Sequence, residues 1–307
     1  MRLPWLVVLA WAIALAGAPG CGDNAYPPGL PLAPASDVTI VAHQDDDLLF
    51  MQPDLHEAVR RGTGVTTVYV TAGNGGGGLA LAEDRERGLL RAYAGMAGAD
   101  DWFCGTIELA SHTALHCRLA AGAVSLVFLG YPDGGKQGER AASLARLWDG
   151  SIASVATIAR HPTTYDRAGL IAAVAAVIDA SAPATIRTLD GTAGHGRDHA
   201  DHEVTGALAV VATAASTQQP QLITYRGYNT ETEPPNVIQP LYDRAAAILA
   251  LYRGCPDACV PISPAHETWL HHRYAIGLRP GAAGVLRTGE RCAAVSPTGA
   301  VMLGPCD

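Results

Sequence analysis

Apolar and polar positions follow two alternating rhythms between residues 37 and 227. Short apolar runs read as strands: "DVTIVA" (37–42), "GVTTVYVTA" (64–72), "AVSLVFLG" (123–130), "ATIRTLD" (184–190) and "QLITYRG" (221–227). Between them lie helical segments: "PDLHEAVRRG" (53–62), "LAEDRERGLLRAYAGMAG" (81–98), "SLARLWDG" (143–150), "YDRAGLIAAVAAVIDASA" (165–182) and "VTGALAVVATAAS" (204–216). The first of these carries Pro53 at its start and Gly62 at its end, the positions each residue favours in a helix. Cys104 and Cys117 bracket a hairpin-like excursion. This order predicts an α/β class protein, with a Rossmann-like, mainly parallel sheet and helices on both faces.

Ligands of such sheets sit at the carboxyl ends of the strands. Two segments rich in His and Asp occupy such positions. "HQDDD" (43–47) follows the first strand, and "HGRDHADHE" (195–203) follows "ATIRTLD". The topology can therefore bring them together although about 150 residues separate them.

The ends of the chain read differently. "MRLPWLVVLAWAIALAGAPG" (1–20) has the single positive charge, apolar stretch and small final residues of an export signal. Cys21 follows it directly and resembles the lipidated cysteine of a bacterial lipoprotein. Residues 21–36 are rich in Pro and Gly, as expected of a tether. A domain over 37–255 and a C-terminal extension over 256–307 complete the expected organisation. "GERCAAVSPTGAVMLGPCD" (289–307) resembles one repeat of a ricin-type β-trefoil lectin. A trefoil needs three repeats, so the other reading is a disulfide-closed tail packed on the main domain.

Composition narrows the classes. Of 307 residues, 49% are hydrophobic and 16% charged, which suits a sizeable buried core. The net charge of −8 and scattered basic residues exclude an extended nucleic-acid surface, so no nucleic-acid partner is expected. Membrane association is expected only through a lipid on Cys21. Apart from Cys21, the cysteines form three close pairs, Cys104/Cys117, Cys255/Cys259 and Cys292/Cys306. Local disulfides in an oxidising compartment fit this spacing; free thiols or a zinc site are the alternatives. There is no C-x-x-C, which argues against a structural zinc cluster.

Catalytic zinc takes three ligands from His and Asp or Glu, keeps one position open and needs a nearby base. "HQDDD" supplies His43 and Asp46 three apart, with Asp45 to spare. The second segment supplies His195, Asp198, His199, Asp201 and His202. Each alone also reads as a solvated turn or cap. Both together at strand ends point to a metal site.

At these residues the chain resembles the LmbE-like, or PIG-L, family of zinc-dependent N-deacetylases. "AHQDDD" (42–47) matches the family's "AHPDDE", and "HADH" (199–202) matches its "HPDH" segment. "TAGNGGGG", the "RER" beginning at Arg85, "FLGYPDGG" and "SLARLWDGS" follow in family order, and the likeness spans about 37–255. The resemblance implies one Zn2+ per chain held by His43, Asp46 and His202. It implies Asp45 as general base toward water on the metal, and His199 as a cation stabilising the oxyanion, oriented by Asp201. Arg85 would contact substrate.

His195, Asp198 and His199 form a competing frame. The His199–His202 frame is preferred because "HADHEVTG" runs directly into a helix. Gln44 stands where the family has Pro, and Asp47 where it has Glu; neither is an expected ligand. The implied reaction removes the acetyl group from an N-acetylglucosamine-type sugar or glycan, outside the cytoplasm. Residues 104–120 and 227–240 are expected to shape specificity. A surface carbohydrate-binding protein without turnover is the alternative function. A phosphoesterase with two metals is a third reading.

Overall fold

The computed structural model describes residue 29 and residues 31–120, 123–192, 194–254, 260, 262–280, 286–288, 291–295 and 301–305, with backbone alone from residue 278. The expected export signal, Cys21 and the Cys255/Cys259 pair lie outside the described residues, as does the bonding of Cys292 and Cys306.

Five parallel strands form the centre of the sheet: β1 (Asp37–Val41), β2 (Val65–Thr71), β5 (Val124–Tyr131), β8 (Thr185–Leu189) and β9 (Gln221–Tyr225). Their spatial order is β5-β2-β1-β8-β9. Connections from β1 run toward β5 on one side, and the chain then returns to β8 on the other. The crevice between β1 and β8 is thus a topological switch point, where ligands of doubly wound sheets bind. Beyond β5 the sheet continues through the antiparallel hairpin β3 (Trp102–Leu109) and β4 (His112–Leu119), closed by the Cys104–Cys117 disulfide. Beyond β9 it is extended by β10 (Ala275–Pro280), antiparallel to β9, and by β11 (Leu286–Thr288), β12 (Arg291–Val295) and β13 (Val301–Pro305). A separate small hairpin pairs β6 (Ser154–Ala156) with β7 (Thr164–Asp166).

Alternation along the central strands sends side chains into two cores. Val38, Ile40, Val68, Val70, Val127 and Leu129 meet α5 (Arg167–Ser181) and α6 (Ala200–Ala215) on one face. Val41, Tyr69, Leu126 and Phe128 meet α1 (Asp46–Phe50), α2 (Asp54–Arg61), α3 (Leu79–Ala97) and α7 (Gln239–Arg253) on the other. Short α4 (Leu144–Trp148) is capped by Ser143 and also packs on α6. Among the described residues, no helix is long and apolar enough to cross a membrane.

Two boundaries differ from the sequence reading. Asp46 and Asp47 belong to a short helix, α1, that the strand-and-helix pattern did not include. Likewise α6 starts at Ala200, four residues before the expected helix, because His199 caps it by accepting the Asp201 N–H at Nδ1, 3.2 Å away. Asp201 and His202 therefore stand on the first helical turn.

Candidate metal centre

All five parallel strands deliver residues to one cavity at their carboxyl ends. β1 is followed by His43, Asp45 and Asp46; β2 by a glycine loop and Arg85 on α3; β5 by Asp133. β8 leads to Asp198, His199 and His202, and β9 to Tyr228. The cavity of about 90 Å³ is lined by His43, Asp45, Arg85, Asp133, His199 and Tyr228, with His266 added from the C-terminal part.

At its floor, three side chains converge. His43 Nδ1 lies 3.1 Å from His202 Nε2 and 3.4 Å from Asp46 Oδ2, and His202 Nε2 lies 3.0 Å from Asp46 Oδ1. A tetrahedral zinc with bonds of 2.0–2.1 Å has ligand atoms about 3.3 Å apart. The donor set fits such an ion, and Asp46 Oδ1 is buried with no hydrogen-bond partner. All three residues are buried.

The outer nitrogens of both imidazoles face carboxylates. His202 Nδ1 is 3.1 Å from Asp198 Oδ2, and His43 Nε2 is 3.3 Å from Asp201 Oδ2. Such pairings fix the tautomer that leaves the inner nitrogen free for a metal. Burial opposes charge on His202, but Asp46 and Asp198 outweigh it and raise its pKa to about 10. Burial similarly opposes ionised Asp46, yet His202 and His43 hold its pKa well below the usual carboxylate range. The pocket is electrostatically built around a positive charge at this point.

The expected residues occupy distinct places. Asp45 Oδ2 accepts a hydrogen bond from Arg85 Nη1 at 3.1 Å, so both face the cavity as a pair. His199 packs edge-on against His43, ring centroids 4.6 Å apart. Burial and the neighbouring His43 and His202 lower its pKa to about 4. Since its Nδ1 accepts the Asp201 N–H, its proton sits on Nε2. The Asp201 carboxylate, expected to orient His199, lies nearer His43 Nε2, with His199 Nδ1 3.8 Å away; it also accepts the Gly134 N–H at 2.9 Å. His195 is exposed and does not line the cavity.

A second group, His43, Asp133, His199 and Asp201, has potential ligand atoms in proximity. Its members already have partners: Asp133 Oδ1 accepts from Gly135 N–H and Arg140 Nη1, both at 2.8 Å.

Close packing around the centre requires small residues. A Cβ on Gly134 would lie 2.8 Å from Asp201 Oδ1, and one on Gly227 would lie 2.1 Å from Asp198 Oδ2. Gln44 donates to the Thr71 carbonyl at 3.0 Å. Asp47 accepts from Tyr69 and Tyr93 hydroxyls at 2.7 and 2.6 Å, tying α1 to β2 and α3 rather than touching the ligands. Burial pushes its pKa up to about 7.

Sequence reasoning gave no role to Tyr228, which stacks on the His202 ring with centroids 5.0 Å apart, or to His266 and Trp269. It named Asp198 only within the competing frame. The i to i+4 spacing of Asp198 and His202 was a usable signal for their pairing. The 104–120 hairpin lies beyond β5 at the edge of the sheet and does not line the metal cavity, whereas residues 227–240 contribute Tyr228 to it.

Fold and centre define an α/β protein with a His2Asp cluster, able to hold a metal ion, at the sheet's switch point. The family model described as PIG-L, GlcNAc-PI de-N-acetylase, matches residues 38–213, more than half of the sequence, and the chain belongs to this family. No curated protein matches it. Among solved structures, N,N'-diacetylchitobiose deacetylase from Pyrococcus horikoshii is similar at 17% identity, with 73% of this chain and 72% of that one covered and a TM-score of 0.44. GalB, the 4-carboxy-2-hydroxymuconate hydratase of Pseudomonas putida KT2440, matches at 12% identity, 78% and 82% coverage and a TM-score of 0.45. The zinc-inhibited form of teicoplanin deacetylase Orf2 matches at 14% identity, 70% and 83% coverage and a TM-score of 0.42.

Proposed function

We propose that the protein is an exported, metal-dependent N-deacetylase acting on an N-acetylglucosamine-type sugar. The carrying observation is the convergence of His43, Asp46 and His202 beside an Asp45–Arg85 pair in one cavity. A divalent cation held by the three ligands, zinc in our reading, would polarise the acetamide carbonyl and lower the pKa of water toward neutrality.

The protein's own groups handle the protons. Arg85 holds Oδ2 of Asp45, which leaves Oδ1 to take a proton from the attacking water. His199 donates from Nε2 to the oxygen that gains charge as water adds to the carbonyl. Protonated Asp45 then returns the proton to the departing nitrogen as the C–N bond breaks. One amide and one water yield acetate and an amine. Asp198 and Asp201 position the two histidine ligands. The Cys104–Cys117 disulfide supports an oxidising, extracytoplasmic location.

The test is acetate release from N-acetylglucosamine, chitobiose and a peptidoglycan digest by the zinc-loaded protein, beside His202→Ala. Release that is lost in the variant is expected. A tightly bound metal without release from any of the three would favour sugar binding without turnover.

A further inference from the structure

The loop that follows β5 is closed on itself by one side chain. Arg140 Nη1 donates to Oδ1 and to the carbonyl oxygen of Asp133, at 2.8 and 2.9 Å, and the Arg140 N–H donates to the Gly134 carbonyl at 3.0 Å. The guanidinium also reaches the glycine loop that follows β2, where Nη2 donates to the Gly75 carbonyl at 2.9 Å. It lies against Gly76, whose φ is +85° and where a Cβ would stand 3.2 Å from Nη2. Only a glycine combines that left-handed backbone with so close an approach.

A second tie joins the same two loops. Asn74 Oδ1 accepts the Asp133 N–H at 3.1 Å, while its Nδ2 donates to the Gly77 carbonyl. On its other flank the loop after β5 is fastened to the start of α6. There the Lys136 carbonyl accepts the Ala200 N–H at 2.9 Å, and the Gly134 N–H meets Asp201. Segments that follow β2, β5 and β8 therefore form one rim around the metal cavity, and Arg140 is the charged side chain that crosses from the first to the second.

The consequence falls on Asp133. With Oδ1 taken by Arg140 and by the Gly135 N–H, Oδ2 is left facing the cavity, 3.9 Å from His43 Nε2. The Arg140 side chain is 37% exposed, so its charge alone contributes little to stability. Its planar fork does something a point charge cannot: it holds three acceptors in fixed directions and thereby sets the rotation of the carboxylate. Released from that fork, Oδ2 has no single direction.

Resting on the deacetylase reading, we propose that Arg140 is a positioning residue for that reaction. It stands outside the metal cavity and locks the Asp133 carboxylate so that Oδ2 accepts from a hydroxyl or N–H of the bound substrate.

The experiment is a double-mutant cycle in kcat/KM on the zinc-loaded full chain, with whichever of the three substrates above releases acetate fastest. It uses wild type, Arg140→Ala, Asp133→Asn and the double variant, with Arg140→Lys beside them. Arg140→Ala and Asp133→Asn should each lose about tenfold, and the double variant should fall no more than about threefold below Asp133→Asn, because the arginine acts through the carboxylate. Arg140→Lys, with one compact donor in place of the fork, should recover only part of the loss. Zinc affinity, read by competition with a chromophoric chelator, should stay within about threefold of wild type, since Arg140 touches no ligand. Additive losses in the double variant overturn the proposal, as does an Arg140→Ala enzyme with wild-type kcat/KM. A parallel loss of zinc affinity marks a merely structural role and overturns it too. If wild type releases acetate from none of the three, the deacetylase reading fails, and amide hydrogen exchange decides separately whether Arg140 fixes Asp133. Faster exchange at the Gly135 amide in Arg140→Ala, partly restored in Arg140→Lys and absent from β1 and α6, supports that role; unchanged Gly135 exchange sinks it.

Discussion

Asp198 touches no metal, yet its replacement by Asn should weaken metal binding strongly. The carboxylate serves three donors at once. Oδ2 faces His202 Nδ1 at 3.1 Å, while Oδ1 accepts the N–H groups of His199 at 2.8 Å and Tyr228 at 3.0 Å. An asparagine has the same shape but one of its two heads is a donor. If the NH2 faces His202, it demands an acceptor at Nδ1 and shifts the ring to the Nε2–H tautomer, which removes the lone pair aimed at the metal. If the amide turns over, the NH2 meets two backbone N–H groups instead. Either orientation leaves buried donors opposed, and Asp198 is 8% exposed, so water cannot relieve the conflict. Loss of such an outer partner typically costs 10–100-fold in metal affinity, about 1.4–2.7 kcal/mol. Competition for zinc with a chromophoric chelator measures this directly, and circular dichroism confirms that the variant is folded. A folded Asp198→Asn that binds zinc as tightly as wild type would refute the assigned tautomer.

Three further outcomes test other parts of the site and fold. Gly227→Ala places a methyl 2.1 Å from Asp198 Oδ2 and 2.8 Å from His202 Nδ1, and the strain should cost roughly 1–3 kcal/mol in a denaturant titration; an unchanged midpoint would contradict the packing. Asp45→Asn should retain zinc in the chelator assay while kcat falls by roughly 10²–10⁴, the usual contribution of a general base; loss of zinc with activity would make Asp45 a ligand. On α3, burial and then the neighbouring Glu83 raise the Glu86 carboxyl to about 8. The folded state therefore holds this proton to higher pH than the unfolded chain does, and stability should fall as pH rises from about 4.5 to about 8. Glu86→Gln should flatten that portion of the thermal-melt profile; an identical pH slope in the variant would show that Glu86 does not titrate there.

The parallel centre of the fold was legible because its strands are buried on both faces and read as unbroken apolar runs between amphipathic helices. His43, Asp46 and His202 were legible through motif resemblance. What escaped was the secondary structure under the motifs. The cap that starts α6 is a histidine, and His is not among the residues that ordinarily signal an N-terminus, so the helix was expected four residues late. No helix was expected at 46–50, because five residues are too few to display a helical period.

The C-terminal contribution was illegible for a different reason. His266 and Trp269 lie in a short 3-10 turn, whose pattern of exposure depends on α1 and α7 beneath it and not on its own periodicity. Nothing local distinguishes a tryptophan packed in a tail from one set against a cavity wall. The distinction arises only when β9 ends beside β8, which brings Tyr228 over His202, and the chain then returns through α7 to set Trp269 against Tyr228. The ligands come from strand ends that the fold must bring together, whereas Trp269 comes from a segment that only this connection carries to the site. The catalytic groups and the wall beside Tyr228 therefore come from separate parts of the chain, and exchanging Asp45 should alter turnover while the Tyr228–Trp269 contact stays in place.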